Sequence, residues 1–461
     1  MMQVTLSIRC GLIVGFTLSW RRKFMKKVWV LMPAVASMAL AGCGSSTAQA
    51  SSSKHVTLLV TEWTNPPAIQ ATKTIDKLFE KKYPNVHVRL RYAPTANGAW
   101  ASLYKTTMDA KTVDVAAVFA PGNFVPPSYM NMPVSGVLAY AAANQLVNFA
   151  NYAWMKEDFI PGVQKKMIGY KNGIWGVNLA SYGNAGVFYN KTLFKKYNLS
   201  VPTTYNQLLR VCKILKSHNI TPFFVGAKDG MENMISQALF QSLTPRSNTL
   251  KAELRMDYLF WHKKESYNSD PVFKKVLTRY ETLATYFQKN AFGQSQLTAP
   301  GIWASSNHYG MLVDGSWDGT TIHQANKSLK FGWFPLPGSN HASQNKMFVG
   351  GDFTWTVPTF APQKKWAIRY VKFFSEPQNY KIWDNLVGSV PSEKISSNLP
   401  WMNIENKDLS RAQGEISLQM PINAGPKAAL LNDLPYLKPE GSYTVNRLIS
   451  VATQQFQAAV P

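Results

Sequence analysis

The sequence predicts an α/β protein built as two lobes, and three observations carry that prediction. Between His55 and Phe119, short apolar runs of strand length alternate with amphipathic helical stretches, the pattern of βαβ units whose strands lie parallel with right-handed crossovers. A second group of strand-like runs begins near Tyr189 and resumes at His308, and the mostly helical stretch from Met231 to about Gln288 separates the groups. A chain of 461 residues is also long enough for two separate cores, which is more economical than one very large sheet.

Taken in order, "HVTLLVTEW" is a strand ending at Trp63, where Pro66 and Pro67 stop the ladder because proline has no N–H to donate. Ile69 to Tyr83 places Ile75, Leu78 and Phe79 on one helical face with lysines opposite. "VHVRLRY" alternates with period two, as a strand with one buried face does. A helix spans Trp100 to Ala110, and "VDVAAVF" is apolar enough for a sheet covered on both faces. "GYKNGIWGVNL" reads as a hairpin turning at Asn172-Gly173. A strand to Tyr189, a short helix and a helix opened by Thr203 or Thr204 follow, then the strand "ITPFFVGAK". Pro245 and Pro271 interrupt the long helical stretch; "NHYGMLVDGSWDG", "LKFGWFPLPG" and "GGDFTWTVP" are strand-like; and the chain from Lys364 is mainly helical.

The amino terminus reads as an export signal. Basic Arg21, Arg22, Lys23, Lys26 and Lys27 precede an apolar run that stops at Leu40-Ala41-Gly42-Cys43, too short to span a bilayer comfortably. Leu40 to Cys43 resembles the bacterial lipobox, so Cys43 is expected to carry acyl chains at the start of the mature protein and tether it to a membrane. "MKKVWVLMPAVASMALAGC" from Met25 is a complete signal by itself. The three cysteines are Cys10, Cys43 and Cys212; Cys212 has no partner left and is expected to be a small buried hydrophobe. The net charge of +24 falls to +18 without the six basic residues before Cys43. The lysines occur as scattered pairs in helical patterns, which argues for solvated faces and against nucleic acid as a partner; anionic envelope polymers or acid surroundings fit the balance.

Catalytic constellations are missing. The seven histidines form no i, i+4 pair and no Cys-x-x-Cys occurs, so neither a metal nor any other cofactor is expected. No phosphate-cradling glycine loop and no Gly-x-Ser-x-Gly elbow is present, and Ser51 to Lys54 matches Ser-x-x-Lys only inside a polar tether. Of the scarce acids, Asp314, Asp318 and Asp352 are the ones expected near a cleft, which keeps a secreted glycosidase as an alternative. The 14 tryptophans and 20 tyrosines offer flat apolar faces that match the C–H face of a pyranose. Trp63, Tyr182, Trp303, Trp317, Trp333 and Trp355 fall at strand ends or turns, where α/β sheets bind ligands.

The pieces "LFEKKYPNVHV", "VDVAAVFAPGNF", "GVFYNKTLF", "GMLVDGSWDG", "FGWFPLPG" and "VGGDFTWTVP", in this order behind the lipobox, resemble the extracellular solute-binding proteins of family 1, the carbohydrate receptors of ABC importers that include maltose-binding protein. The resemblance implies a periplasmic-binding-protein type II fold: two discontinuous lobes that close by a hinge on a ligand. It implies a signal peptide over 1–42, a tether over 43–54, a first lobe from 55–148 and 335–377, and a second from 149–334 and 378–461. Hinges are then expected near Val147-Asn148, Phe334-Pro335 and Ser375-Gln378. By position in the motifs, Trp63, Phe119, Asn123, Gly351 and Asp352 are the expected first-lobe contacts, and Tyr182, Asn184, Asp229, Trp317 and Asp318 the second-lobe ones. Trp63, Tyr182 and Trp317 would stack, with Asp229 and Asp352 accepting hydroxyls. The implied protein is no enzyme; it is a lipid-anchored monomer outside the cytoplasmic membrane whose partners are a sugar and separate permease subunits. An anionic sugar such as a uronide is the variant that the basic charge keeps open.

Overall fold

A computed structural model describes residues 55–95, 98–119, 127–130, 136–244, 249–345, 348–395 and 430–460; Cys43 and Asn123 lie outside them. The first sheet is built on Val56–Trp63 (β1), which pairs in parallel with both Val86–Ala93 (β2) and Val115–Phe119 (β3), as the βαβ pattern predicts. The helix Pro66–Lys82 between β1 and β2 starts three residues earlier than expected. Asn65 caps it by accepting from the Ala68 N–H at 3.1 Å, and prolines at the first two helical positions lose no intrahelical bond. Gly169–Tyr170 (β4) and Gly173–Ile174 (β5) form the predicted hairpin.

Val177–Asn178 (β6) and Phe353–Thr356 (β13) complete the first sheet in the order β2-β1-β3-β13-β6. Along β3, Val115 and Ala117 face a core with Phe79, Tyr370, Trp355 and Trp383, while Ala116 and Val118 face a second layer with Val137, Leu146 and Ile168. The sheet is therefore covered on both sides, which is why its strands read as unbroken apolar runs.

Gly186–Asn190 (β8), Thr221–Val225 (β9), Tyr309–Val313 (β10) and Phe331–Pro335 (β11) form the other main sheet, ordered β11-β8-β10-β9. Val187, Phe223, Val225, Met311 and Val313 pack under helices Tyr205–Ser217, Asn233–Leu243, Pro271–Ala284 and Val445–Ala459. Phe188, Phe224, Leu312 and Trp333 pack the opposite face with Trp303 and Ile322. Thr204 caps its helix, accepting from Gln207 N–H at 3.3 Å. Cys212, on the buried face of that helix, is fully buried, and burial raises its thiol pKa, the inert role the sequence predicts.

A third, small sheet joins the two cores. Ala180–Asn184 (β7) lies between Phe348–Gly351 (β12) and Val390–Pro391 (β14), antiparallel to both. Ala180 belongs to the first core and Ala185 to the second, so β7 carries the chain across. The core memberships correct the expected boundaries. Phe149, Trp154, Phe159 and Val177 pack in the first core, Phe334 and Leu336 in the second, and Tyr380, Trp383 and Val387 in the first. The first transfer thus falls at 180–185 instead of Val147-Asn148. The return lies between Asn345 and Phe353 instead of at Phe334-Pro335, and the chain stays in the first core through Tyr380, Trp383 and Val387, beyond the transfer expected at Ser375-Gln378. An amphipathic helix advertises that it has a core to join, not which of two.

The first-lobe root of β7 is fixed by a buried polar cluster. Asn178 donates to Thr354 Oγ1 at 2.9 Å and accepts from Ser392 Oγ at 2.6 Å, Gln164 bonds both its backbone groups, and Tyr380 donates to Leu179 O. Away from this sheet, Met130 is buried in the second core and Tyr129 packs against it, although β3 before them and helix Gly136–Ala142 after them belong to the first lobe. Residues 127–130 are therefore a further attachment between lobes.

Candidate functional site

The candidate residues collect on strand ends that face β7. At the first-lobe side, β1 and β3 end in Trp63 and Phe119, whose rings stack at 4.1 Å and 22°. Phe353 and Trp100 close around Trp63 at 4.7 and 6.0 Å. Trp63 is consequently only 6% exposed and Phe119 is 45% exposed. One face of the tryptophan expected to stack is already occupied, and Phe119 is the ring that remains open. The other strand-end tryptophans are corrected further: Trp303, Trp333 and Trp355 are core residues at 1, 0 and 0% exposure.

Phe119 pairs in register with Phe353, which places Asp352 beside it at the junction of β12 and β13. Asp352 donates its backbone N–H to Ala180 O at 2.8 Å and is nearly buried. Burial lifts its carboxyl to about 7, because an apolar setting disfavours the charged form. Gly351 pairs with Ser181, and Tyr182 and Asn184 lie along β7 opposite Gly350 and Phe348.

At the second-lobe side, the strand register Val225 to Val313 sets the loops after β9 and β10 side by side. The β10 loop carries Asp314, Ser316, Trp317 and Asp318. Ser316 Oγ accepts from Gly183 N–H at 2.9 Å, which docks this loop on β7 between Tyr182 and Asn184. Sequence reasoning missed Ser316, a common residue whose role depends on a bond spanning 133 positions. Trp317 and Asp318 are half-buried. Burial and the neighbouring Asp318 push Asp314 well above the carboxylate range, and burial raises Asp318 to about 6.

Asp229, in the β9 loop, accepts from Ser295 Oγ at 2.7 Å and from Gln296 N–H at 2.8 Å. Both partners are in its own lobe, so it braces the loop and has fewer lone pairs for a ligand than its position in the motif suggests. Among the described residues no three metal-ligating side chains converge. The arrangement therefore offers aromatic faces and carboxyls from two lobes along a shared crossover strand, which suits non-covalent capture of a polar, partly apolar molecule.

Two α/β cores linked by crossover strands, with the candidate groups divided between them, define a hinged ligand receptor. Residues 60–381 match the bacterial extracellular solute-binding proteins, and the chain belongs to that family. It is 25% identical over 374 residues to the multiple sugar-binding protein of Streptococcus mutans, covering 80% of this chain and 82% of the relative. It is 19% identical over 365 residues to the melibiose/raffinose/stachyose-binding protein MelE of Bacillus subtilis, covering 77% and 79%. The solute-binding protein RafE in complex with raffinose superposes with a TM-score of 0.68 at 18% identity, over 87% of this chain and 99% of RafE, a likeness of fold.

Proposed function

We propose that this protein captures a neutral oligosaccharide between its lobes and delivers it, chemically intact, to the membrane subunits of an ABC importer. The observation that carries the reading is the meeting of both lobes' candidate groups at β7: Asp352 through its bond to Ala180 O and the Trp317 loop through the Ser316 to Gly183 bond. The names of the relatives that bind multiple sugars and melibiose, raffinose or stachyose support a saccharide as the ligand. The acids placed beside β7, Asp318 and Asp352, favour hydroxyl donors over a uronide. Phe119 and Trp317 would supply the stacking faces, and Tyr182, Asn184 and Asn123 are proposed as further contacts from their positions in the motifs. Export, cleavage before Cys43, acylation at that thiol and action as a monomer complete the proposal.

Calorimetry with raffinose, stachyose, melibiose and a uronide tests it. Heat and a raised melting temperature with a neutral sugar are expected, since a ligand that binds only the folded state stabilises it; response to the uronide alone would overturn the choice of ligand. Mass spectrometry of recovered sugar separates a receptor from a glycosidase. Cys43→Ala should move the protein from the membrane fraction to the medium.

A further inference from the structure

We infer that the end of the first lobe farthest from the candidate site is a docking surface for anionic phospholipid headgroups. The inference rests on the reading of Cys43 as a membrane tether, to which it adds a second contact. Trp63 at the site end of β1 lies about 23 Å from Val56 at the other end, at the usual strand rise. There the Val56 N–H donates to Asn85 O and the Val86 N–H to Tyr83 O, both at 2.9 Å, so the chain enters the lobe beside Tyr83. Tyr83 follows helix Pro66–Lys82 and meets Trp366 of helix Lys364–Phe374, with ring centroids 5.2 Å apart at 69°. Both side chains are half-buried. The Arg369 guanidinium lies over the two rings, 4.8 Å from that of Trp366 and 5.5 Å from that of Tyr83, and Lys82 Nζ lies 5.8 Å from the latter. Exposed Lys81 and Lys365 flank the aromatic pair in sequence.

The acids of this surface are already engaged. Glu376 pairs with Lys82 at 3.5 Å, and Glu80 accepts from Val88 N–H at 2.7 Å and meets His87 Nδ1 at 2.8 Å. Among the described residues Lys81, Lys365 and Arg369 are in no ion pair. Half-buried Trp and Tyr rings beside uncompensated Lys and Arg suit the edge of a bilayer, where amphipathic rings settle at headgroup level and cations meet lipid phosphate. The tether selects the bilayer as the occupant: residues 43–54 span at most about 40 Å, so acyl chains at Cys43 keep this end within reach of the headgroups. Docked this way, the lobe holds the candidate site at the far end of β1, turned toward the solute.

Vesicle sedimentation of the full chain tests the inference, with vesicles of phosphatidylcholine alone and of phosphatidylcholine mixed with phosphatidylglycerol. The variant Lys81→Gln, Lys365→Gln, Arg369→Gln should bind the mixed vesicles about tenfold more weakly than the parent at low salt. A control with the same loss of charge in the second lobe, Lys213→Gln, Lys274→Gln, Lys275→Gln, should stay within about twofold of the parent. All three proteins keep the same amino terminus, so it produces no difference among them. Equal losses in the two variants, or no preference of the parent for phosphatidylglycerol, would overturn the inference. Soluble polyphosphate is the competing probe: a loss of polyphosphate binding with vesicle binding intact would assign the surface to an anionic polymer and overturn it as well. Cys43→Ala reports separately on the tether, since acyl chains hold the protein to both kinds of vesicle. Loss of binding to phosphatidylcholine alone supports acylation, whereas unchanged binding there with the phosphatidylglycerol preference kept would remove the tether and leave the docking surface standing. If thermal melting shows that Arg369→Gln prevents folding, Lys81→Gln with Lys365→Gln makes the same comparison against Lys274→Gln with Lys275→Gln.

Discussion

Stability should fall as pH rises, and Asp257 allows the effect to be isolated. Asp257 sits in helix Thr249–Trp261 at 1% exposure, its Oδ1 has no hydrogen-bond partner, and burial raises its pKa from 3.8 to about 7. Tyr129 and Tyr267 feel its charge, and among the described residues no cation pairs with it; the ion pairs there are Lys82–Glu376, His87–Glu80 and Lys105–Asp109. The folded-state pKa is the higher one, so the folded chain holds a proton that the unfolded chain releases above about pH 4. Its stabilisation is complete below the unfolded pKa and is lost as pH climbs through about 7. A shift of about three pKa units is worth on the order of 4 kcal/mol. At about 2 °C per kcal/mol that is a melting shift of about 8 °C. Asp257→Asn cannot ionise, so it should match the parent near pH 4 and melt about 8 °C above it near pH 8, read by circular dichroism at constant ionic strength. A difference between variant and parent that does not change with pH would refute the reasoning. Asp76, Glu232 and Asp352, each raised to about 7, and Glu393, raised to about 9, act in the same direction, so the parent's own melting temperature should be highest in mild acid.

Further expectations follow from packing. Phe119→Ala removes the open ring of the Trp63 stack and should weaken raffinose binding about tenfold by calorimetry, from burial of roughly 50 Å² of ring surface; a change below twofold would place the sugar elsewhere. Gly186→Ala drives a Cβ into the buried Trp333 ring and should destabilise by about 1–3 kcal/mol in urea unfolding. Met130→Asp puts an unpaired charge into the second core and should free residues 127–130 from it, increasing the radius of gyration of the sugar-free protein in small-angle scattering. An unchanged curve would show that this attachment does not restrain the lobes.

Much of the architecture was written locally in the chain. The βαβ start at β1, the cap at Thr204, the hairpin at β4 and β5, and the burial of Cys212 each depend on a few neighbouring residues, and periodicity and capping report on those directly. The candidate site was half legible. The motifs place Phe119 and Asp352 at first-lobe strand ends and Trp317 in a second-lobe loop, yet they misjudge which aromatic ring stays open, because Trp63 and Phe119 are equivalent until strand register stacks one beneath the other.

The sequence by itself determined the element types, the parallel opening of the first sheet and the family. Only tertiary structure decided which core each helix joins, where the chain crosses between lobes, and whether a given acid faces a ligand or its own lobe. The physical reason is range: turns, caps and alternation are set within a few residues, whereas the bonds from Asn178 to Thr354 and Gly183 to Ser316 join positions that become neighbours only after two cores have condensed.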